Sequence, residues 1–132
     1  IGWSYGKNMT SELVISAFEK AKAARGVTEG MIFHSDLGSQ YTSKEYEKML
    51  LENNVKHSYS KKGYPYDNAS MESFNAILKK EEVNVNTYTT FKEAKLAIFE
   101  FIESWYNNTR IHSTLDYKTP NQKYNEYLKN IA

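Results

Sequence analysis

The chain has 132 residues, 25% charged and 40% hydrophobic, the balance of one globular domain with a single core rather than of a disordered chain. Lys+Arg 17 against Asp+Glu 16 leave a net charge of +1, so a nucleic-acid partner has to be argued from local residues, and Cys 0 excludes a disulfide framework, a thiolate nucleophile and a cysteine metal site. No apolar run approaches the roughly 20 residues that cross a bilayer, and Ile1 to Lys7 lack the charged-then-apolar order of a signal peptide, which predicts an intracellular chain with no membrane partner.

Ile1, Trp3 and Tyr5 alternate as a half-buried strand does, starting at the first residue with no turn before it. Thr10 is placed to cap a helix whose apolar positions Leu13, Val14, Ala17, Phe18, Ala21 and Ala24 keep helical spacing, with Gly26 as its stop. Met31, Ile32 and Phe33 read as a short buried strand ending at His34-Ser35-Asp36 and a turn glycine, Gly38. Ser43 starts a second helix carrying Tyr46, Met49 and Leu50, and Val55, His57 and Tyr59 alternate as a further strand. The order strand, helix, strand, helix, strand predicts right-handed crossovers and a parallel sheet, an α/β fold. Residues 60–67, with Lys61, Lys62, Gly63, Pro65 and Asp67, read as a loop, and a helix follows from Asn68 with Met71, Phe74 and Leu78 on one face. The last third is helical. Thr90 and Glu93 fit a capping box ahead of Ala94, Ala97, Ile98, Phe101, Ile102 and Trp105, and Thr119, Pro120 and Gln122 mark a further helix start.

Two acids stand out by position. Asp36 lies just past the end of an apolar strand, where open α/β sheets bind ligands, although Ser-Asp-x-Gly is also ordinary turn chemistry. Glu72 falls in the first turn of its helix, a place the helix dipole favours for a carboxylate with or without a function. His34 and His57 sit in strand patterns and read as packed, hydrogen-bonded histidines rather than ligands.

The two acids have 35 residues between them, within His34-Ser35-Asp36-Leu37-Gly38-Ser39-Gln40-Tyr41 and Asp67-Asn68-Ala69-Ser70-Met71-Glu72-Ser73-Phe74. Downstream lie Trp105-Tyr106-Asn107-Asn108-Thr109-Arg110-Ile111-His112, then Leu115 and Pro120. With these three blocks in order the chain resembles the DDE transposase and retroviral-integrase superfamily, most closely the second-reading-frame transposases of bacterial insertion sequences. The resemblance implies a ribonuclease-H-like catalytic core over residues 1–132 with C-terminal helices. It implies that Asp36 and Glu72 are catalytic carboxylates holding Mg2+ or Mn2+ in a two-metal site for cleaving and joining DNA. It gives Lys79 a contact to the DNA end. Seven positions after Glu72, Lys79 falls about 20° short of two full turns and so shares its face, about 10 Å along the helix; a solvated surface lysine is the plain alternative. Lys61, Lys62 and Arg110 are further candidate nucleic-acid contacts, with Asn68 and Asn75 as supporting residues, a plain helix cap being the alternative for Asn68.

One departure qualifies the resemblance. The family's first metal-binding Asp precedes this sequence, and Ile1 to Tyr5, which resembles the family's third strand, contains no acid. The expectation is therefore a core lacking its first two strands and one carboxylate, inactive alone, with a non-catalytic nucleic-acid-binding or assembly module as the alternative. In the ribonuclease-H-like order the strand at Met31 is left with a bare edge, which should be covered either by the N-terminal strand moving across or by a second copy of the chain, the latter giving a homo-oligomer. Implied partners are element ends and target DNA, and the implied location is the bacterial cytoplasm at the nucleoid.

Overall fold

Short polar side chains decide where the helices begin. Thr10 accepts from the Leu13 N–H at 3.4 Å and Ser43 from the Tyr46 N–H at 3.2 Å, each satisfying an amide that a helix start leaves without an intrahelical partner. The computed structural model describes residues 1–61 and 65–131. They fall into two compact units, Ile1–Glu72 and Ser73–Ala132.

In the first unit, α1 (Ser11–Arg25) stops at Gly26, whose φ of 73° suits glycine and whose N–H reaches Lys22 O at 2.8 Å. Strand β1 (Ile32–Ser35), helix α2 (Lys44–Glu52) and strand β2 (Lys56–Tyr59) form one crossover unit. The strands pair in parallel, as the strand–helix–strand order predicts, with Phe33 opposite His57 and Ser35 opposite Tyr59. Val14 and Phe18 from α1, Tyr46, Met49 and Leu50 from α2, and Val55 make the core, with Phe33 packed edge-on against Phe18 and Tyr46.

Two strand expectations need correction. Ile1 to Tyr5 forms no strand; it lies along α1, where Ser4 Oγ donates to Ser16 Oγ at 2.9 Å and Lys20 Nζ reaches Trp3 O at 3.2 Å. Gly2 is needed there, because a Cβ would run into the Ala17 carbonyl and the Ala21 backbone. Alternation makes a strand possible, but only a neighbour with free backbone groups makes one, and this segment packs on a helix instead. Nor is the Met31 run buried. Ile32 is 64% exposed, and β1 pairs only with β2 among the described residues, so the N-terminal segment does not cover the other edge.

Helix α3 (Ala69–Leu78) grows out of a 3-10 turn at Pro65–Asn68 and runs into a π-helical turn at Lys79–Val83. Met71, expected on its packed face, is 51% exposed, and none of its residues is buried.

The second unit is built on α4 (Phe91–Glu100), capped by Thr90, whose hydroxyl accepts from the Glu93 N–H at 3.1 Å. Glu93 returns its carboxylate one residue earlier than expected, to the Thr89 N–H at 2.7 Å. α4 continues as a π-helical turn, Phe101–Tyr106, and Ala94, Ile98, Phe101 and Ile102 are buried. Trp105, expected on the same face, is 45% exposed, because the wider turn shifts the helical phase. Helix α5 (Pro120–Ile131) starts with a reciprocal capping box: Gln122 N–H donates to Thr119 Oγ1 at 3.2 Å and Thr119 N–H to Gln122 Oε1 at 2.9 Å. Among the described residues no helix is long and apolar enough to cross a membrane.

Candidate functional site

β1 delivers Asp36. Its last residue, Ser35, is 5% exposed and locked at three points: Ser60 N–H donates to its carbonyl at 2.8 Å, its hydroxyl donates to Asp36 O at 2.9 Å, and His57 Nε2 lies 2.9 Å from the same hydroxyl. Asp36 follows directly, with an exposed carboxylate whose Oδ1 accepts from the Gly38 N–H at 2.9 Å. That is the turn chemistry the sequence offered, and it engages only one of the two oxygens. A Cβ at Gly38 would come 2.6 Å from Gln40 Nε2 and 2.9 Å from Asp36 Oδ1, so both side chains would have to shift. Tyr41 feels the acid: burial, then the charge of Asp36, holds its phenol above the usual value.

Behind the strand end stands a neutral aromatic cluster. The His57 ring lies 4.0 Å from Tyr59 and packs against Phe33 and Tyr46, each at 5.8 Å. Burial holds His57 below the usual imidazole value, with the Glu47 carboxylate opposing and His34 adding to the shift. Tyr59 Oη donates to Glu47 Oε1 at 3.3 Å, linking the cluster to α2. His34 lies on the opposite face of the sheet, its ring nitrogens 3.0 Å from Ser58 Oγ and 3.0 Å from Ser60 Oγ; both histidines are hydrogen-bonded as expected, but only His57 is packed, and His34 is exposed.

Glu72 stands in the first turn of α3, exposed, and no hydrogen bond or ion pair among the described residues engages it. Lys79 opens the π-helical turn after α3 and is exposed, as is Asn75; Asn68 ends the 3-10 turn before α3. Asp67 Oδ2 accepts from the Lys61 N–H at 3.0 Å, closing the loop ahead of α3. Lys62 lies outside the described residues. Among the described residues no group of three His, Cys, Asp or Glu is placed to hold a metal ion.

Arg110 has a different partner from the one expected. Its guanidinium grips Glu81 in a two-armed pair, Nη2 to Oε1 at 2.8 Å and Nε to Oε2 at 2.9 Å, with both side chains mostly covered. Trp105 Nε1 donates to the same carboxylate at 3.4 Å, and Arg110 Nη1 lies 3.3 Å from His112 Nδ1. The hydrogen bonds from Arg110 hold Glu81 below the usual carboxylate range. Burial, then the charge of Arg110, holds His112 below the usual imidazole value. Sequence reading missed Glu81 and Ser35 as partners, although Ser35 sits inside the strand-end block.

Two family profiles, both described as Integrase core domain, match residues 1–65 and 53–120. The chain belongs to the integrase core family. Among curated proteins this integrase core is 45% identical over 127 residues to the transposase for insertion sequence element IS904 of Lactococcus lactis, covering 95% of this chain and 50% of that one. It is 36% identical over 128 residues to transposase InsF of insertion sequence IS3A of Escherichia coli, covering 97% of this chain and 44% of that one. A Lactococcus lactis protein named ATP-dependent protease is 48% identical over 99 residues, covering 74% of this chain and 32% of its own length. The chain spans about half the length of the two transposases. Among solved structures, the HTLV-2 integrase catalytic core domain in complex with magnesium aligns with a TM-score of 0.57 at 21% identity, over 86% of this chain and 68% of that one. The fold is therefore the ribonuclease-H-like α/β fold of integrase cores, with its helices toward the C-terminus.

Proposed function

We propose that this integrase core supplies two of the carboxylates, Asp36 and Glu72, of a divalent-metal site with which a bacterial insertion-sequence transposase cuts and joins DNA strands. The observation that carries the reading is Asp36 at the carboxyl end of a parallel strand, exposed and with Oδ2 uncommitted among the described residues, in a chain matched by integrase core profiles along most of its length. Glu72, exposed at a helix start with no partner among the described residues, is the second oxygen donor.

These donors fit part of such a site. Hard oxygen ligands suit Mg2+ or Mn2+, but two acids leave the shell to be completed by waters, DNA phosphate and a further carboxylate from outside this chain. Bound metal would supply charge neutralisation at the attacking and leaving oxygens of phosphodiester transfer. The chain's own residues hold and aim the acids. Lys79, Lys61 and Lys62 contact the phosphates of element ends or target DNA, and Asn68 and Asn75 support the start of α3. Arg110, spent on Glu81, braces the helical unit rather than the DNA. The protein works as a homo-oligomer in the bacterial cytoplasm, associated with the nucleoid.

Strand cleavage and strand transfer on terminal-repeat DNA, in the complete protein with Mg2+ or Mn2+, test this reading. Asp36→Asn and Glu72→Gln should each reduce both steps to background while DNA binding persists. Cleavage that survives either change removes that acid from the site. The lack of a three-ligand group among the described residues favours one second reading, a DNA-binding or assembly module without chemistry. It predicts DNA binding indifferent to metal and to both substitutions.

A further inference from the structure

Asp36 is aimed by groups that do not touch it through its side chain. Ser35 has one hydroxyl proton, and Asp36 O, a carbonyl, can only accept it. The 2.9 Å contact between Ser35 Oγ and His57 Nε2 is then a bond only if Nε2 carries the hydrogen. This tautomer leaves Nδ1 bare, and Nδ1 is the buried ring atom without a partner among the described residues. His57 is held in turn by the Tyr59 ring, itself anchored on Glu47 of α2. A chain of contacts thus runs from α2 through β2 to the peptide that ends β1, and it ends on the backbone of the acid.

A Ser–His pair at 2.9 Å is also the geometry of an activated nucleophile. Here that reading fails: Ser35 is 5% exposed, its proton is committed to Asp36 O, and no carboxylate among the described residues orients Nδ1.

We propose that Ser35 and His57 are positioning residues for Asp36, fixing the strand-end peptide so that the carboxylate meets its metal already aimed. The proposal rests on the function proposed above, and it assigns to these side chains the orienting role that hydrogen-bonded groups behind a metal ligand play.

The test uses the complete protein carrying this chain, with Asp36→Asn, Ser35→Ala, His57→Gln and His57→Phe made singly. Glutamine offers an amide N–H near the place of Nε2, whereas phenylalanine keeps the ring against Tyr59 and loses the donor. The expected result is loss of strand transfer in Asp36→Asn, and a fall in kcat of about 10- to 100-fold in Ser35→Ala and His57→Phe with KM for DNA unchanged. His57→Gln should recover most of that loss. Affinity for Mn2+ alone, read by paramagnetic broadening, should fall in His57→Phe and recover in His57→Gln. Equal kcat and equal Mn2+ affinity in the two His57 variants, with Asp36→Asn inactive, would overturn the positioning role and leave the proposed function standing. Full activity in Asp36→Asn would overturn both. Should a His57 variant not fold, Ser35→Ala against Ser35→Thr, which keeps the hydroxyl, repeats the comparison from the other end of the bond, and equal kcat there overturns the role as well.

Discussion

The strand-end acid of the first unit and the helix-borne acid of the second are treated in opposite ways. Asp36 is left exposed with one oxygen unused among the described residues, while the uncharged groups behind it, Ser35 and His57, are packed and hydrogen-bonded. Glu81 is covered, and its charge is consumed by Arg110. A charge held in reserve needs support from neutral neighbours, whereas a charge spent on a partner becomes part of the framework.

Substitutions at the two acids should separate activity from stability. Asp36→Asn is expected to abolish strand transfer with little change in thermal midpoint, because the amide oxygen still accepts from Gly38 N–H. A large fall in midpoint would make Asp36 a structural residue like Glu81. Arg110→Ala should do the reverse, lowering stability in urea unfolding by about 1.5–3 kcal/mol by leaving Glu81 partly covered and unpaired. Arg110→Lys should restore less than half, since an ammonium cannot make the two-armed grip.

Acid sharpens the same contrast. Both His112 and Glu81 titrate below their usual values in the folded chain, so the unfolded chain takes up protons first. Their contributions are full above the unfolded values and fade as pH falls, that of His112 starting below 6.5 and that of Glu81 below 4.5. Thermal midpoints measured down through this range should decline in that order, and Arg110→Ala should flatten the lower part. The smallest effect belongs to an exposed cation with no ion pair among the described residues. Lys79→Ala should lower the slope of log K against log salt for DNA binding by about 0.9, leaving metal binding and thermal midpoint unchanged. An unchanged slope would return Lys79 to the solvated surface.

What the sequence could reveal was local. The caps at Thr10, Ser43, Thr90 and Thr119 are legible because donor and acceptor lie three residues apart, and the parallel pairing of β1 with β2 follows from the helix between them. The integrase blocks around Asp36 and Glu72 could be read directly. The fate of Ile1 to Tyr5 could not, because a strand is defined by a neighbour and this segment found a helix. The pairing of Arg110 was hidden for a similar reason: Glu81 is 29 residues away, and nothing local announces it. The support behind Asp36 was hidden too, since Ser35 and His57 meet only across the paired strands.

The π-helical turns have a consequence for how such a chain can change length. A turn of this kind is an α-helix that has taken in one extra residue, and each residue adds about 100° of rotation to everything that follows. Arg110 lies just beyond Phe101–Tyr106, its N–H bonded to Trp105 O at 2.7 Å, so the insertion sets the direction from which the guanidinium meets Glu81. Removing one residue from that turn would give a more regular helix and a misdirected arginine. A deletion there should weaken the fold as Arg110→Ala does, although no contact residue has been lost, and surviving length variants in this stretch should carry a compensating change at position 81 or 110.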